Sequence, residues 1–350
     1  MPASATDTPY ADLTPDLALD IIESLGQRVD GRLLQLNSYE NRVFQVGLED
    51  GGFVVAKFYR PGRWRDEQIL EEHAFAQELL EGEVPAVPPL TLTAVDHPRL
   101  STPSHILGPH QTLGCVSGHR VSISPRRGGR APELEDPDVL SWLGRFLARL
   151  HVVGSKHPFA HRLRLDAHTM GRAPRQWLLE QDIIPIEQRA NWSAMSDQAI
   201  DLAQAAFEGM DDLRYRRLHG DCHPGNVLWT PEGPHFVDLD DACMGPAVQD
   251  FWMLLSGESR ERQQQLNALL DGYESVAEFD WRELKLIEPL RTLRLIHHSA
   301  WLARRWNDPA VPTAFPWFAS PSYWQQQTDL LRQQIDLMQN METDRPMWMD

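Results

Sequence analysis

The stretch RLHGDCHPGNVLWTPEGPHFVDLDDA, residues 217–242, constrains this chain more than any other. It sets Asp221, Asn226 and Asp238 around two short apolar runs, Asn226–Trp229 and His235–Asp238, with His219, Cys222 and His223 beside them. A fold gains nothing by gathering carboxylates unless a cation joins them, because like charges held together in a poorly solvated place repel. Three cations qualify: a zinc ion, a magnesium ion, or nearby lysines and arginines.

Zinc fits poorly. Structural zinc sites use paired cysteine or histidine ligands with a second pair some distance away. Here the second half of the stretch offers Asp238, Asp240 and Asp241. Hard oxygen ligands suit magnesium better, which leaves His219 and His223 as loop-shaping hydrogen-bonding groups and Cys222 as a small buried filler. The spacing His219-x-Asp221-x-x-x-x-Asn226 is that of a kinase catalytic loop, in which the aspartate orients the accepting hydroxyl and takes its proton while the asparagine binds metal. Asp238, in FVDLD, then falls where a second metal-binding aspartate ends a strand. Such a site also needs a lysine projecting from a strand after a hairpin and a glutamate on the following helix. Val54-Val55-Ala56-Lys57 supplies the lysine, and Glu71-Glu72 supplies the partner; Glu72 is preferred and Glu71 remains an alternative. No GxGxxG precedes the lysine hairpin. In its place stands LNSYENRVFQVG, where Ser38 and Asn41 are the candidates for hydrogen bonds to phosphate.

Punctuation along the chain separates two kinds of structure. Thr14 caps, Pro15 opens and Gly26 closes a first helix with an apolar stripe of Leu17, Ile21, Ile22 and Leu25. Asp50-Gly51-Gly52 between the two β-rich runs of NRVFQVGLEDGGFVVAKFYRP, residues 41–61, predicts a hairpin. RDEQILEEHAFAQELLEG reads as helix, LTLTAV as a strand, and residues 104–124 as several short strands. The linker PRRGGRAPELEDP, residues 125–137, combines proline, glycine and charge. Helices dominate beyond it, starting at DPDVLSWLGRFLARLHVVG, although residues 154–196 read as irregular with helical pieces until a helix from Ser196. The expected domains are a nucleotide-binding lobe over 1–125 and a helical lobe over 126–350 that carries the catalytic loop and metal site. The expected fold class is α+β.

Composition sets limits. A net charge of −17 excludes a general nucleic-acid binder, which needs basic surface to displace counterions, and disfavours an anionic membrane surface. The three cysteines are too few and too scattered for a disulfide framework and fit a reducing compartment. The first residues show neither a basic n-region nor an apolar h-region, and no apolar run approaches the length of a membrane span. The expected setting is the cytoplasm and the expected state a monomer.

HGDCHPGNVLW followed by FVDLDDACMGPAVQDFWMLL resembles the aminoglycoside phosphotransferase and choline kinase-like branch of the protein-kinase-like fold. LNSYENRVFQV, KFYRPGRW, ILEEHAFAQEL, FPWF and AWLARRW extend the likeness, within that branch, to the bacterial stress response kinase A group. The resemblance implies a bilobal kinase fold with a small β-rich lobe containing one long helix and a larger helical lobe. It implies an enzyme that uses ATP and Mg2+ to phosphorylate Ser/Thr on proteins, itself included, in a stress response. Asp221 would be the catalytic base, Asn226 and Asp238 the magnesium ligands, and Ser38 a nucleotide-contacting residue, with Lys57 and Glu72 as the phosphate-positioning pair. Asp250, in AVQDFW, would brace the catalytic loop. The same loop chemistry serves small-molecule hydroxyl kinases acting on amino sugars, choline or homoserine, and a nucleotide sensor without transfer is a third reading.

Overall fold

The computed structural model describes residues 9–340. The segment read as lacking a leader begins in residues 1–8, which lie outside the described residues. In chain order the elements are α1 (Pro15–Ser24), β1 (Val29–Gln35), β2 (Arg42–Leu48), β3 (Phe53–Phe58), α2 (Asp66–Glu81), β4 (His105–Leu107), β5 (Leu113–Val116) and β6 (His119–Pro125). Then follow α3 (Pro137–Gly154), α4 (Ala173–Glu180), α5 (Ile186–Glu208), β7 (Arg216–Leu218), β8 (Val227–Thr230), β9 (Gly233–Phe236) and β10 (Cys243–Gly245). The last are α6 (Gln249–Trp252), α7 (Ser259–Glu274), α8 (Ile287–Arg304), α9 (Ala310–Ala314) and α10 (Pro321–Asn340). The protein is thus α+β, with its large antiparallel sheet in the N-terminal part and a mostly helical C-terminal part.

The chain divides into two units. The first runs to Pro132 and adds Ala160–Arg162 and Pro224–Asp241, while the second comprises Glu133–Phe159, Leu163–His223 and the chain from Ala242. In the first unit six strands pair in the order β1-β2-β3-β6-β5-β4. The β2–β3 hairpin forms around Asp50-Gly51-Gly52 as its turn residues dictate, with Val43 opposite Lys57. Strand periodicity then sorts the side chains: Val54, Ala56 and Phe58 enter the core with Ile21, Ile22 and Leu25 of α1, while Phe53, Val55 and Lys57 take the other face. Asp66 and Glu67 favour the positive end of α2, and the Arg65 N–H donates to the Gln68 side chain at 3.0 Å, fixing where this helix starts.

Two expectations fail. LTLTAV is not a strand: its Leu90 and Leu92 N–H groups donate to isolated carbonyls of Ile123 and Gln111, so the segment is extended without joining a ladder. Residues 154–196 do contain helical pieces, α4 among them, but the helix expected from Ser196 starts ten residues earlier, as α5 begins at Ile186. Helix α5 has a weak amphipathic pattern, and it is stabilised by packing along α10 and α8, with Trp192 edge-on to Trp324 at 5.6 Å.

The second unit is centred on helix pairs, and α3 against α7 is the tightest. A Cβ added at Gly144 would lie 1.9 Å from the Leu269 carbonyl oxygen, and one at Gly272 would lie 2.0 Å from that of Ser141. Each helix contributes a glycine where the other's backbone approaches. Gly144→Ala should therefore lower stability by about 2–3 kcal/mol through overpacking, read as a lower urea midpoint. An uncrowded helix position would respond with the opposite sign, gaining up to about 1 kcal/mol from alanine's propensity.

Candidate active site

In the first unit, β8 and β9 form a hairpin that delivers Asn226 at its start and Asp238 just past its end. The N–H of Val237 donates to the Asn226 carbonyl at 3.0 Å, so both residues are fixed at one end of the hairpin. Asp238 has φ +58°, a left-handed conformation that a non-glycine residue adopts only at a cost and that aspartate tolerates better than most. That backbone turn accompanies an ion pair: Lys57 Nζ lies 2.8 Å from Asp238 Oδ1 and 3.9 Å from Glu72 Oε1. Burial works against the lysine charge, but Asp238 and Glu72 outweigh it and hold its pKa well above that of a free lysine.

Glu72, not Glu71, faces Lys57. The Glu71 carboxylate accepts the backbone N–H groups of Ala160, His161 and Arg162 at 2.6–2.9 Å, clamping that segment to α2. Arg162 in turn approaches Glu72 Oε2 at 4.0 Å, donates to the Gln68 carbonyl at 3.0 Å and to the Asp240 carbonyl, and lies over the Trp64 ring. Burial pushes Glu72 up to about 7, with Lys57 and Arg162 pulling the other way.

A cavity of about 420 Å³ opens within this unit, within the range of small-molecule sites. Val43, Val55, Val87, Leu228 and Phe236 supply apolar lining, while Ser38, Lys57, Glu72, Asn226 and Asp238 supply polar groups. Five of the residues singled out in the sequence therefore line one cavity. Asn41 has a different task. Its amide nitrogen donates to Asp240 Oδ2 at 3.2 Å, and its oxygen accepts the Arg60 N–H at 3.0 Å. It fastens the loop of Ser38 to the turn after Asp238.

Asp240 is the hub of that fastening. Buried to 3% exposure, it takes Arg63 Nη1 at 2.6 Å; the same guanidinium reaches Glu40 at 2.9 Å and also binds Asp241. Burial opposes its charge, but Arg63, Lys57 and Arg162 outweigh that and bring its pKa down to about 2. Sequence reasoning gave Asp240 no role and missed Arg63 and Arg162. The signal was present in DLDD, where a second aspartate two positions after a metal-type aspartate needs its own cation. A second missed group lies under Lys57. Tyr59 Oη meets His73 Nε2 at 2.8 Å and Ser122 Oγ at 3.1 Å, and His73 Nδ1 meets Thr112 Oγ1 at 2.8 Å. Burial lowers His73 to about 3, so it stays neutral and acts as a hydrogen-bonding bridge between α2 and the sheet.

The donor chemistry fits a hard cation and a phosphate. Glu40, Glu72, Asp238, Asp240 and Asp241 supply five carboxylates against four cations, Lys57, Arg60, Arg63 and Arg162. Asp238 is half-exposed at 49%, as Asp241 is at 47%, but of these two only Asp238 lines the cavity, where with Asn226 it offers oxygen donors. Among the described residues, the group of metal-type ligands that lies closest together is elsewhere, at Asp20, Glu23 and His97, where Arg99 already pairs with Asp20 at 2.7 Å.

Asp221 belongs to the second unit. Its Oδ1 pairs with Arg294 at 2.8 Å, and its Oδ2 lies 3.6 Å from His223 Nε2. The loop before it is held by Asp250, fully buried, which accepts the His219 N–H and the Gly220 N–H at 2.9 Å each. Gln249 adds a hydrogen bond to the Gly220 carbonyl at 2.9 Å, and Gly220 itself has φ +83°. His151, held below its ordinary pKa by burial, backs Asp250 at 3.2 Å and Tyr273 at 3.2 Å. The bracing expected of Asp250 is visible as two backbone hydrogen bonds; the His151 and Tyr273 support was not foreseen. Cys222 is buried, and all three cysteines are free.

Residues 32–287 match the phosphotransferase enzyme family. Among curated relatives, stress response kinase A of Escherichia coli strain K12 is 42% identical over 330 residues, covering 94% of this chain and 95% of that protein. The serine/threonine protein kinase RdoA of Salmonella typhimurium strain LT2 is 42% identical over 329 residues, covering 94% of each. Among solved structures, a microcompartment-associated aminopropanol kinase superposes with a TM-score of 0.65 at 19% identity, covering 95% of this chain and 99% of that one. The shared fold is kinase-like.

Two outcomes follow from the buried charges. Asp240→Asn should lower stability by about 3 kcal/mol at pH 7, because it strips a buried ion pair of its anion; an unchanged denaturant midpoint would show that Glu40 and Asp241 suffice for Arg63. Glu72 behaves oppositely. Its folded pKa of about 7 lies above the ordinary 4.5, so the folded state holds this proton more tightly. Its contribution is complete below pH 4.5 and is lost as pH rises through 7. Glu72→Gln should remove that loss, flattening the stability profile between pH 5 and 8 by roughly 1–3 kcal/mol. Unfolding midpoints across that window check it.

Proposed function

This chain belongs to the phosphotransferase enzyme family, and from that premise we propose that it is an ATP- and Mg2+-dependent protein serine/threonine kinase that also phosphorylates itself and serves a bacterial stress response in the cytoplasm. The observation that carries this reading is Lys57, set between Glu72 and Asp238 on the wall of the cavity. Relatives named as kinases, one of them as a serine/threonine protein kinase, support the acceptor class.

In this reading the apolar lining of the cavity takes the nucleotide base, and Lys57 and Ser38 hold its phosphates. Asn226 and Asp238 would hold magnesium, which when bound neutralises phosphate charge. Glu72 fixes the Lys57 ammonium. Asp221 accepts the proton of the acceptor hydroxyl as that oxygen bonds to the terminal phosphorus of ATP and the bond to ADP breaks. Asp250 serves this step at a distance, holding two N–H groups of the loop that presents Asp221.

The test is intact-mass analysis after incubation with Mg-ATP. Wild type should gain phosphate, and Asp221→Asn should lose transfer by about 10²–10⁴-fold while still binding ATP. Lys57→Met and Asp238→Ala should abolish turnover with the circular dichroism spectrum unchanged. No phosphate on wild type, together with turnover of an amino sugar, choline or homoserine, would replace the protein acceptor with a small-molecule one.

A further inference from the structure

The α8 helix carries one half-buried stripe that the proposed reaction does not yet use. Arg294, His298 and Trp301 follow the spacing i, i+4 and i+7, which places them along one side of the helix, and the buried Arg305 follows just past its end. At its start Arg294 contacts Asp221 at 2.8 Å, with its side chain 38% exposed. The neighbouring Arg291 is instead paired with Glu288 at 3.3 Å. One turn on, the His298 ring stacks on the Trp301 indole, 5.8 Å between centroids and 8° from parallel. Arg305 lies over the same indole at 4.6 Å. Phe315 meets Trp301 edge-on and in turn meets Trp317, which is 45% exposed.

We propose that this stripe is the acceptor surface of the second unit and that Arg294 sets its specificity, selecting a Ser/Thr peptide with an acidic residue within one or two positions of the phosphorylated hydroxyl. The inference rests on Asp221 as the base and deepens the protein-kinase reading by naming the class of peptide. Charge complementarity carries it. A choline- or amino-sugar-like acceptor would meet a guanidinium of its own sign beside the base. A carboxylate flanking the hydroxyl would instead meet a cation able to bind it in a fork. Geometry sets the length. Arg294 and Trp301 are seven residues apart, a rise of about 10 Å, which an extended peptide covers in about three residues. The partly exposed edge of the aromatic run, from Trp301 to Trp317, is then the surface an apolar side chain would meet at about that distance. His298 adds no charge there: burial, aided by Arg294, brings its pKa down to about 4.

The experiment compares two serine peptides, one flanked by glutamate and one by lysine at the same positions, as substrates of the full chain and of its Arg294→Glu and Arg294→Lys variants. The measured quantity is the ratio of kcat/KM for the two peptides, in which any loss of folding or of base strength common to both cancels. Wild type should favour the glutamate peptide by roughly tenfold, the scale of one charge-assisted contact. Arg294→Glu should reverse that preference and Arg294→Lys should keep its direction. Equal losses on both peptides in Arg294→Glu, with the ratio unchanged, would overturn the specificity role. A wild-type preference for lysine would overturn it too while leaving the kinase reading in place. Phosphorylation of neither peptide, with phosphorylation of a small amino alcohol instead, would remove the protein-kinase reading and this inference together.

Discussion

A single buried ion pair, Arg63 with Asp240, organises the first unit around its cavity. A carboxylate so deeply buried is tolerated only when cations and hydrogen bonds replace the water it has lost. Here the replacements come from separate parts of the chain: Arg63 from the approach to α2, Asn41 from the loop that holds Ser38, and Arg162 through the backbone carbonyl. Satisfying one charge therefore fixes the loop, the helix and the turn after β9 at once. Asp238 sits two residues before Asp240, and its left-handed backbone is held because the residues that follow it are anchored.

The second unit solves a similar problem with backbone amides. Asp250 has no arginine; its charge is spread over the His219 and Gly220 N–H groups and the His151 ring. The two amide hydrogen bonds have a carboxylate acceptor, which makes them stronger than neutral ones. The loop that ends in Asp221 is thereby held through its backbone, while the Asp221 carboxylate meets Arg294 and His223.

Much of this was legible in the sequence because function forces residue types into fixed spacing. His219-x-Asp221-x-x-x-x-Asn226, the Asp238 strand end and Lys57 on the second strand of a glycine-turned hairpin are local patterns, and the structure sets Lys57, Glu72, Ser38, Asn226 and Asp238 around one cavity. What escaped were partners supplied from far along the chain. Arg162 reaches Glu72 from ninety residues away, and Tyr59, just past β3, joins His73 of α2 to Ser122 of β6, polar residues that look individually like surface groups. Helix α5 escaped for the same reason: its stabilising contacts are with α8 and α10, and its own pattern carries little of the signal. LTLTAV misled in the other direction, since β propensity reports a fit to a half-buried pleated surface and no neighbouring strand offers a ladder there.

The chain's acidity gives these arrangements a common logic. With a formal charge of −17, cations are the scarce component, and two of those near the candidate site each serve more than one anion. Lys57 spans Asp238 and Glu72; Arg63 spans Glu40, Asp240 and Asp241. Glu71 and Asp250 are satisfied by backbone N–H groups instead, Glu71 by those of residues 160–162 and Asp250 by those of the loop before Asp221. Cationic side chains are thus concentrated where a polyanion such as a nucleotide phosphate would need them. Arg294 follows the same rule on α8: it stands beside a carboxylate and remains partly exposed, so an incoming anion can share it.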